Sequence, residues 1–233
     1  MATRGLLISA LALTLSFEAP ASEMCTVDAM LVFDGSGSMA ETGFNQLDEP
    51  RIFTARRVLH RVIPRIAAQR RVGLVTYGPG AGEGCAEVDL RFGPRPDAAG
   101  PILDAIATLE PEGGTPLTEA VGLAADVLDH DVEPGVIVLV TDGRETCGGA
   151  PCRLAAELAA VSPDLTVHVI GFKVRGTFFS WDGQGKDDYL EGKTVARCLA
   201  DRTGGLYLST ETADQLATAL NQTLGCTVIG RLD

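Results

Sequence analysis

Positive charge is in short supply in this chain. Its 19 Lys and Arg stand against 31 Asp and Glu, for a net charge of -12. A surface this acidic suits neither nucleic acid nor an anionic membrane, and solubility alone accounts for it. Long hydrophobic runs are missing too. Gly5 to Phe17 is apolar but only about a dozen residues long, short of the ~20 that span a bilayer. Every later apolar run is short and flanked by charge or glycine. No G-K-[ST] follows the glycine-rich stretch Gly78 to Gly84, so it reads as a hairpin turn and not a phosphate loop. G-x-S-x-G is absent. None of the three histidines, His60, His130 and His168, is spaced to serve a serine or cysteine nucleophile, and His168 reads as a core residue. No repeat, low-complexity tract or linker divides the chain.

What is present begins with a leader. Arg4, the apolar run and Ala19-Pro20-Ala21 form the charged, hydrophobic and cleavage regions of a signal peptide over residues 1–21. A single domain over 22–233 is then expected, periplasmic or secreted. Its six cysteines, an even count in an exported chain, suggest three disulfides. Zinc is the weaker reading, because Cys147 and Cys152 have no second matched pair and no nearby His.

Strand and helix patterns alternate. Strands are expected over 27–33, 71–77, 85–92, 135–141, 165–171 and 205–209, four of them continuous apolar runs as in a parallel sheet covered on both faces. In the third, Ala86, Val88, Leu90 and Phe92 alternate with charge, which predicts a half-exposed edge strand in an antiparallel hairpin with the second. Helices are expected over 50–69, with Pro64 ending or kinking it, 97–109, 116–129, from Pro151, around Cys198 and over 212–224. Thr212-x-x-Gln215 has the form of a capping box. The order β-α-β-β-α-α-β-α-β-α-β-α predicts an α/β doubly wound sheet, whose ligands bind at strand carboxyl ends.

That sheet also constrains the disulfides. The chain ends favour Cys25–Cys226. Cys85 and Cys198 belong to opposite sides of the sheet, beyond the ~7 Å that a disulfide's Cα atoms tolerate, and Cys147–Cys152 would strand them both. The helix from Pro151 should neighbour the one holding Cys198. Cys152–Cys198 with Cys85–Cys147 is therefore expected.

The chemistry gathers in three segments. Asp34-Gly35-Ser36-Gly37-Ser38 follows the first strand, Gly113-Gly114-Thr115-Pro116-Leu117 lies midway, and Thr141-Asp142-Gly143 follows the fourth strand. Glycines allow the tight turns by which a carboxylate and hydroxyls converge, and such oxygens suit a hard divalent cation. Glu119 and Glu145 lie near these loops and read as solvent-facing or supporting groups. The stretch 172–193, with Phe178, Phe179 and Trp181, is long for a loop and is either a partner surface or a small satellite core.

The D-x-S-x-S, G-G-T-P-L and T-D-G segments, in this order on this strand pattern, resemble a von Willebrand factor type A domain over essentially the whole mature chain. The resemblance implies a Rossmann-like sheet of five parallel strands and one antiparallel edge strand, with helices on both faces. It implies an intact metal-ion-dependent adhesion site of Asp34, Ser36, Ser38, Thr115 and Asp142, holding Mg²⁺ (or Mn²⁺ or Ca²⁺) with one position open for an Asp or Glu of a protein partner. Thr115 would also cap the helix that starts at Pro116. In adhesive members the last helix slides when ligand tightens the site; a Cys25–Cys226 bond would restrain that slide here. The expected function is therefore an exported, non-enzymatic protein-binding module. The alternatives are a metal-assisted hydrolase, for which no clear base is offered, and a subunit of a larger assembly.

Overall fold

The computed structural model describes residues 25–42, 49–78, 84, 85, 87–162, 164–172 and 196–226. The expected leader, most of the glycine-rich turn and all of 172–193 except Phe172 lie outside them.

The first strand, β1 (Asp28–Asp34), shows how the sheet divides two cores. Ala29, Leu31 and Phe33 pack on one face, and Met30 and Val32 on the other, as the two-residue period of a strand requires. Helix α1 (Arg51–Ala67) lies on the first face, with Ile52, Ala55, Val58, Leu59, Val62, Ile63 and Ile66 buried. Pro64 does not end it. Pro64 and His60 both lie on the exposed side, so the carbonyl left without an amide partner faces water.

The hairpin β2 (Val72–Tyr77) and β3 (Val88–Arg95) follows. Then come α2 (Ala99–Ala107), α3 (Leu117–Val127), β4 (Gly135–Thr141), α4 (Pro151–Val161) and β5 (Leu165–Phe172). Helix α5, described over 196–202, leads to β6 (Tyr207–Thr210) and α6 (Ala213–Thr223). The element order is the expected one. Helices α1, α2 and α6 cover one face of the sheet, and α3, α4 and α5 the other.

The six strands run in the order β3-β2-β1-β4-β5-β6, and only β3 is antiparallel to its neighbour. The chain winds outward from β1 to one edge and from β4 to the other. The carboxyl ends of β1 and β4 therefore flank the switch point, where such sheets leave a crevice.

Strand β3 starts and ends three residues later than expected, running through Gly93 and Pro94. Pro is tolerated because its missing amide costs no ladder bond on an edge strand. The three cystines are those expected: Cys25–Cys226, Cys85–Cys147 and Cys152–Cys198, with Cα atoms 5.6, 5.4 and 5.3 Å apart. Among the described residues no helix is long and apolar enough to cross a membrane.

Candidate metal centre

Asp34 is the last residue of β1, and Asp142 follows the last residue of β4. Strand pairing alone thus brings two carboxylates to one point. The backbone then folds three loops around them. The Gly35 amide donates to the Tyr77 carbonyl at 2.8 Å. A Cβ on Gly35 would come within 2.6 Å of the Leu109 side chain and 2.7 Å of that carbonyl. Gly78, at φ +123, backs onto the same loop, and a Cβ there would meet the Gly35 carbonyl oxygen at 1.9 Å. Only glycine fits at either position. The first loop is tied to the second by Gly37 N–H to Gly113 O (3.0 Å) and Glu112 N–H to Gly35 O (3.0 Å). The second is tied to the third by Thr115 N–H to Thr146 Oγ1 (2.7 Å) and Thr146 N–H to Thr115 O (3.1 Å).

Within this frame the side-chain oxygens converge. The Ser36 amide donates to Asp34 Oδ1 at 2.8 Å, and the Thr141 hydroxyl donates to Asp34 Oδ2 at 2.6 Å. The Ser36 and Ser38 hydroxyls lie 3.1 Å apart, and Ser38 Oγ donates to Asp142 Oδ1 at 2.5 Å. Ser38 Oγ and Thr115 Oγ1 are each 3.8 Å from the point where a Cβ on Gly143 would sit. Asp34, Ser36, Thr115 and Asp142 are buried and Ser38 is half-buried. All five residues expected as ligands therefore come together at the carboxyl end of the sheet.

Burial pushes the Asp142 carboxyl up to about 7, and the Asp34 charge adds to the rise, against Arg51 and the Ser38 hydrogen bond. The fully buried Tyr77 phenol is held well above its ordinary range, first by burial and then by the Asp34 charge. Asp142 Oδ2 makes no hydrogen bond among the described residues; its contact is an ion pair with Arg51 Nη1 at 3.2 Å. Two adjacent buried carboxylates and three hydroxyls form a donor set suited to a hard divalent cation. Clusters of three or more His, Cys, Asp or Glu placed for a metal do not occur among the described residues. Hydroxyls supply more than half of this set.

Thr115 does not cap α3, contrary to expectation. The helix opens at Leu117 with no side-chain cap of its own. Glu145 caps it from the third loop: Oε2 accepts from Thr118 N–H and Thr118 Oγ1, both at 2.8 Å, while Oε1 accepts from Cys147 N–H at 2.8 Å. A carboxylate suits a helix N-terminus better than a hydroxyl does. Glu145 is thereby committed to holding the loops together, and Glu119 is exposed.

Sequence reasoning missed Arg51, Thr141 and Thr146. Thr141 stood beside Asp142 in the quoted motif. Arg51 carried one usable signal: a cation in the first turn of a helix opposes the helix dipole and calls for a nearby carboxylate.

The family model for the von Willebrand factor type A domain matches residues 29–145. A similar curated sequence is an uncharacterised protein of Bacillus subtilis, YwmD, 26% identical over 221 residues, 89% of this chain and 90% of that one. Among solved structures, the conserved hypothetical protein BatB from Bacteroides thetaiotaomicron superposes with a TM-score of 0.59 at 20% identity. That match covers 85% of this chain and 97% of BatB. Proximal thread matrix protein 1 from the mussel byssus, with zinc in its MIDAS motif, gives 0.57 at 18% identity, covering 87% of this chain and 45% of that one. At these identities the structures speak to fold alone. The fold and the family match agree: this chain belongs to the von Willebrand factor type A domain family.

Proposed function

We propose that this chain is an exported protein-binding module that grips a partner's Asp or Glu through a divalent cation, Mg²⁺ in the first place and Mn²⁺ or Ca²⁺ as substitutes. The observation that carries the proposal is the convergence of Asp34, Ser36, Ser38, Thr115 and Asp142 from three loops. Ser36, Ser38 and Thr115 would hold the cation by their hydroxyls, with Asp34 and Asp142 supplying negative charge. When bound, the cation supplies an electrophilic point to which an incoming carboxylate oxygen binds.

The protein's own contribution is orientation. Thr141 fixes the Asp34 carboxylate, and the Gly35, Gly37 and Glu112 amides fix the loops. The Ser36, Ser38 and Asp142 oxygens already point at one another, so little rearrangement is needed to receive the cation. The family's adhesion and matrix members support binding over catalysis, and three cystines support a periplasmic or secreted location. A pulldown from exported proteins, with and without EDTA, tests the function. Partners retained in Mg²⁺ and lost in EDTA are expected. A partner that binds equally in both would show that another surface is used.

A further inference from the structure

Arg51 is placed where a surface helix would not put it. It opens α1, it is only 2% exposed, and no acidic residue stands in that helix's first turn. Burying a guanidinium is costly unless it is paired. Its partners all belong to the metal loops. Nη1 donates to the Ser38 carbonyl at 2.7 Å and to Glu41 at 3.2 Å, and it sits 3.2 Å from Asp142 Oδ2. The Arg51 amide donates to Glu41 O at 3.1 Å, which fixes the start of the helix against the first loop. One nitrogen thus bridges a first-loop carbonyl and a third-loop carboxylate.

We propose that Arg51 is the resident counter-ion of this centre. It holds Asp142 in place when no metal is bound, moderates the affinity for the cation, and leaves the loaded site positive so that it draws a carboxylate. The proposal rests on the metal reading above. Asp34 and Asp142 bring two negative charges, which a divalent cation alone would cancel. The guanidinium would then leave one positive charge in excess at the loaded site. Glu41, with its side chain 60% exposed, is screened by water and offsets little of it. The same positive charge repels the cation as it enters, so metal affinity is lower than the five oxygens alone would give. Arg51 is a positioning and charge-setting residue and not a metal ligand.

The test uses the full exported chain and Mn²⁺ alone as probe. Calorimetry is expected to show Arg51→Gln binding Mn²⁺ about tenfold more tightly than wild type, with Arg51→Lys near wild type. Unchanged or weaker Mn²⁺ binding by a folded Arg51→Gln variant would overturn the proposal. Thermal melts in EDTA at about pH 8, where the Asp142 carboxyl is ionised, read the pairing without metal. Arg51→Gln is expected to lower Tm by roughly 10 °C in the wild-type background and by far less in Asp142→Asn. Equal losses in the two backgrounds would overturn the pairing. If the wild type binds no Mn²⁺, the metal reading fails, and with it the proposed effect on affinity; the melts then decide the pairing alone.

Discussion

Asp142 is the residue whose ionisation links this site to pH. In the metal-free protein its carboxyl titrates at about 7, against about 3.9 in an unfolded chain. The folded state then holds a proton that the unfolded state has released, so the contribution of Asp142 to stability in EDTA is fully present below about pH 4 and is lost as pH rises from there through about 7. Metal binding has the opposite sense, since the cation displaces that proton: Mn²⁺ affinity should rise as pH is raised toward 7.5 and level off above it. His168 works against the first trend. Its Nδ1 accepts the Leu206 amide at 3.0 Å, and burial, then the Arg70 charge, lowers its pKa. Stability from His168 is present above its unfolded value of about 6.5 and is lost as pH falls through the folded one. Melts in EDTA from pH 5 to 8 should steepen downward with pH when His168→Gln removes the opposing contribution. If that variant follows the wild-type profile, His168 is not buried in its neutral form.

Glu145 makes a separate prediction at the same scale. Glu145→Ala removes three acceptor contacts and the cap of α3, and should cost about 1–2 kcal/mol of stability. Denaturant unfolding checks this; a loss below about 0.5 kcal/mol would mean that water caps α3 equally well. At residue scale the motif was legible because its residues are contiguous or nearly so within each loop. Arg51 was not, because its meaning lies in a partner more than ninety positions away, and Thr115's supposed cap was taken by Glu145 from another loop.

Among the elements, α6 is tied at both ends. Thr212 and Gln215 form the expected capping box at its start. At its end Cys226 is bonded to Cys25, and the largely buried Arg70 donates to the Leu224 carbonyl at 3.0 Å. A slide of one turn is about 5.4 Å, and the short tether between Leu224 and Cys226 leaves little slack for it. Crystal structures with and without Mg²⁺ are expected to place the last turn of α6 within about 2 Å of the same position, well short of a full turn. A full-turn displacement would show that the bond does not anchor the helix. Element types and order were legible because buried strands read as apolar runs and helices as 3.6-residue stripes. The bounds of β3 were harder to see. Its alternation is clearest around Val88 to Phe92, while Gly93 and Pro94 look like a turn unless an edge position is assumed.

Taken as a whole, the molecule has two cores back to back on one sheet, closed by three cystines. The Cys25–Cys226 bond spans 201 positions, nearly the whole described chain, so it restricts the unfolded state most. Cys25→Ser with Cys226→Ser should lower stability by about 2–4 kcal/mol, read as a Tm fall of roughly 5–15 °C. No change would mean that the termini are held by packing alone. The pairing was legible because the sheet order places each cysteine on a definite side, which a spacing rule alone could not do.

We propose that five oxygens on three loops hold one divalent cation. This is tested most directly by titrating Mg²⁺ or Mn²⁺ calorimetrically into the wild type and into Asp34→Ala. Asp34 lies at the buried end of β1, and its removal takes away one of the two carboxylates and the acceptor of the Ser36 amide. The wild type should bind one cation, and Asp34→Ala should bind it at least about tenfold more weakly. Equal affinity in the two proteins would contradict the assignment.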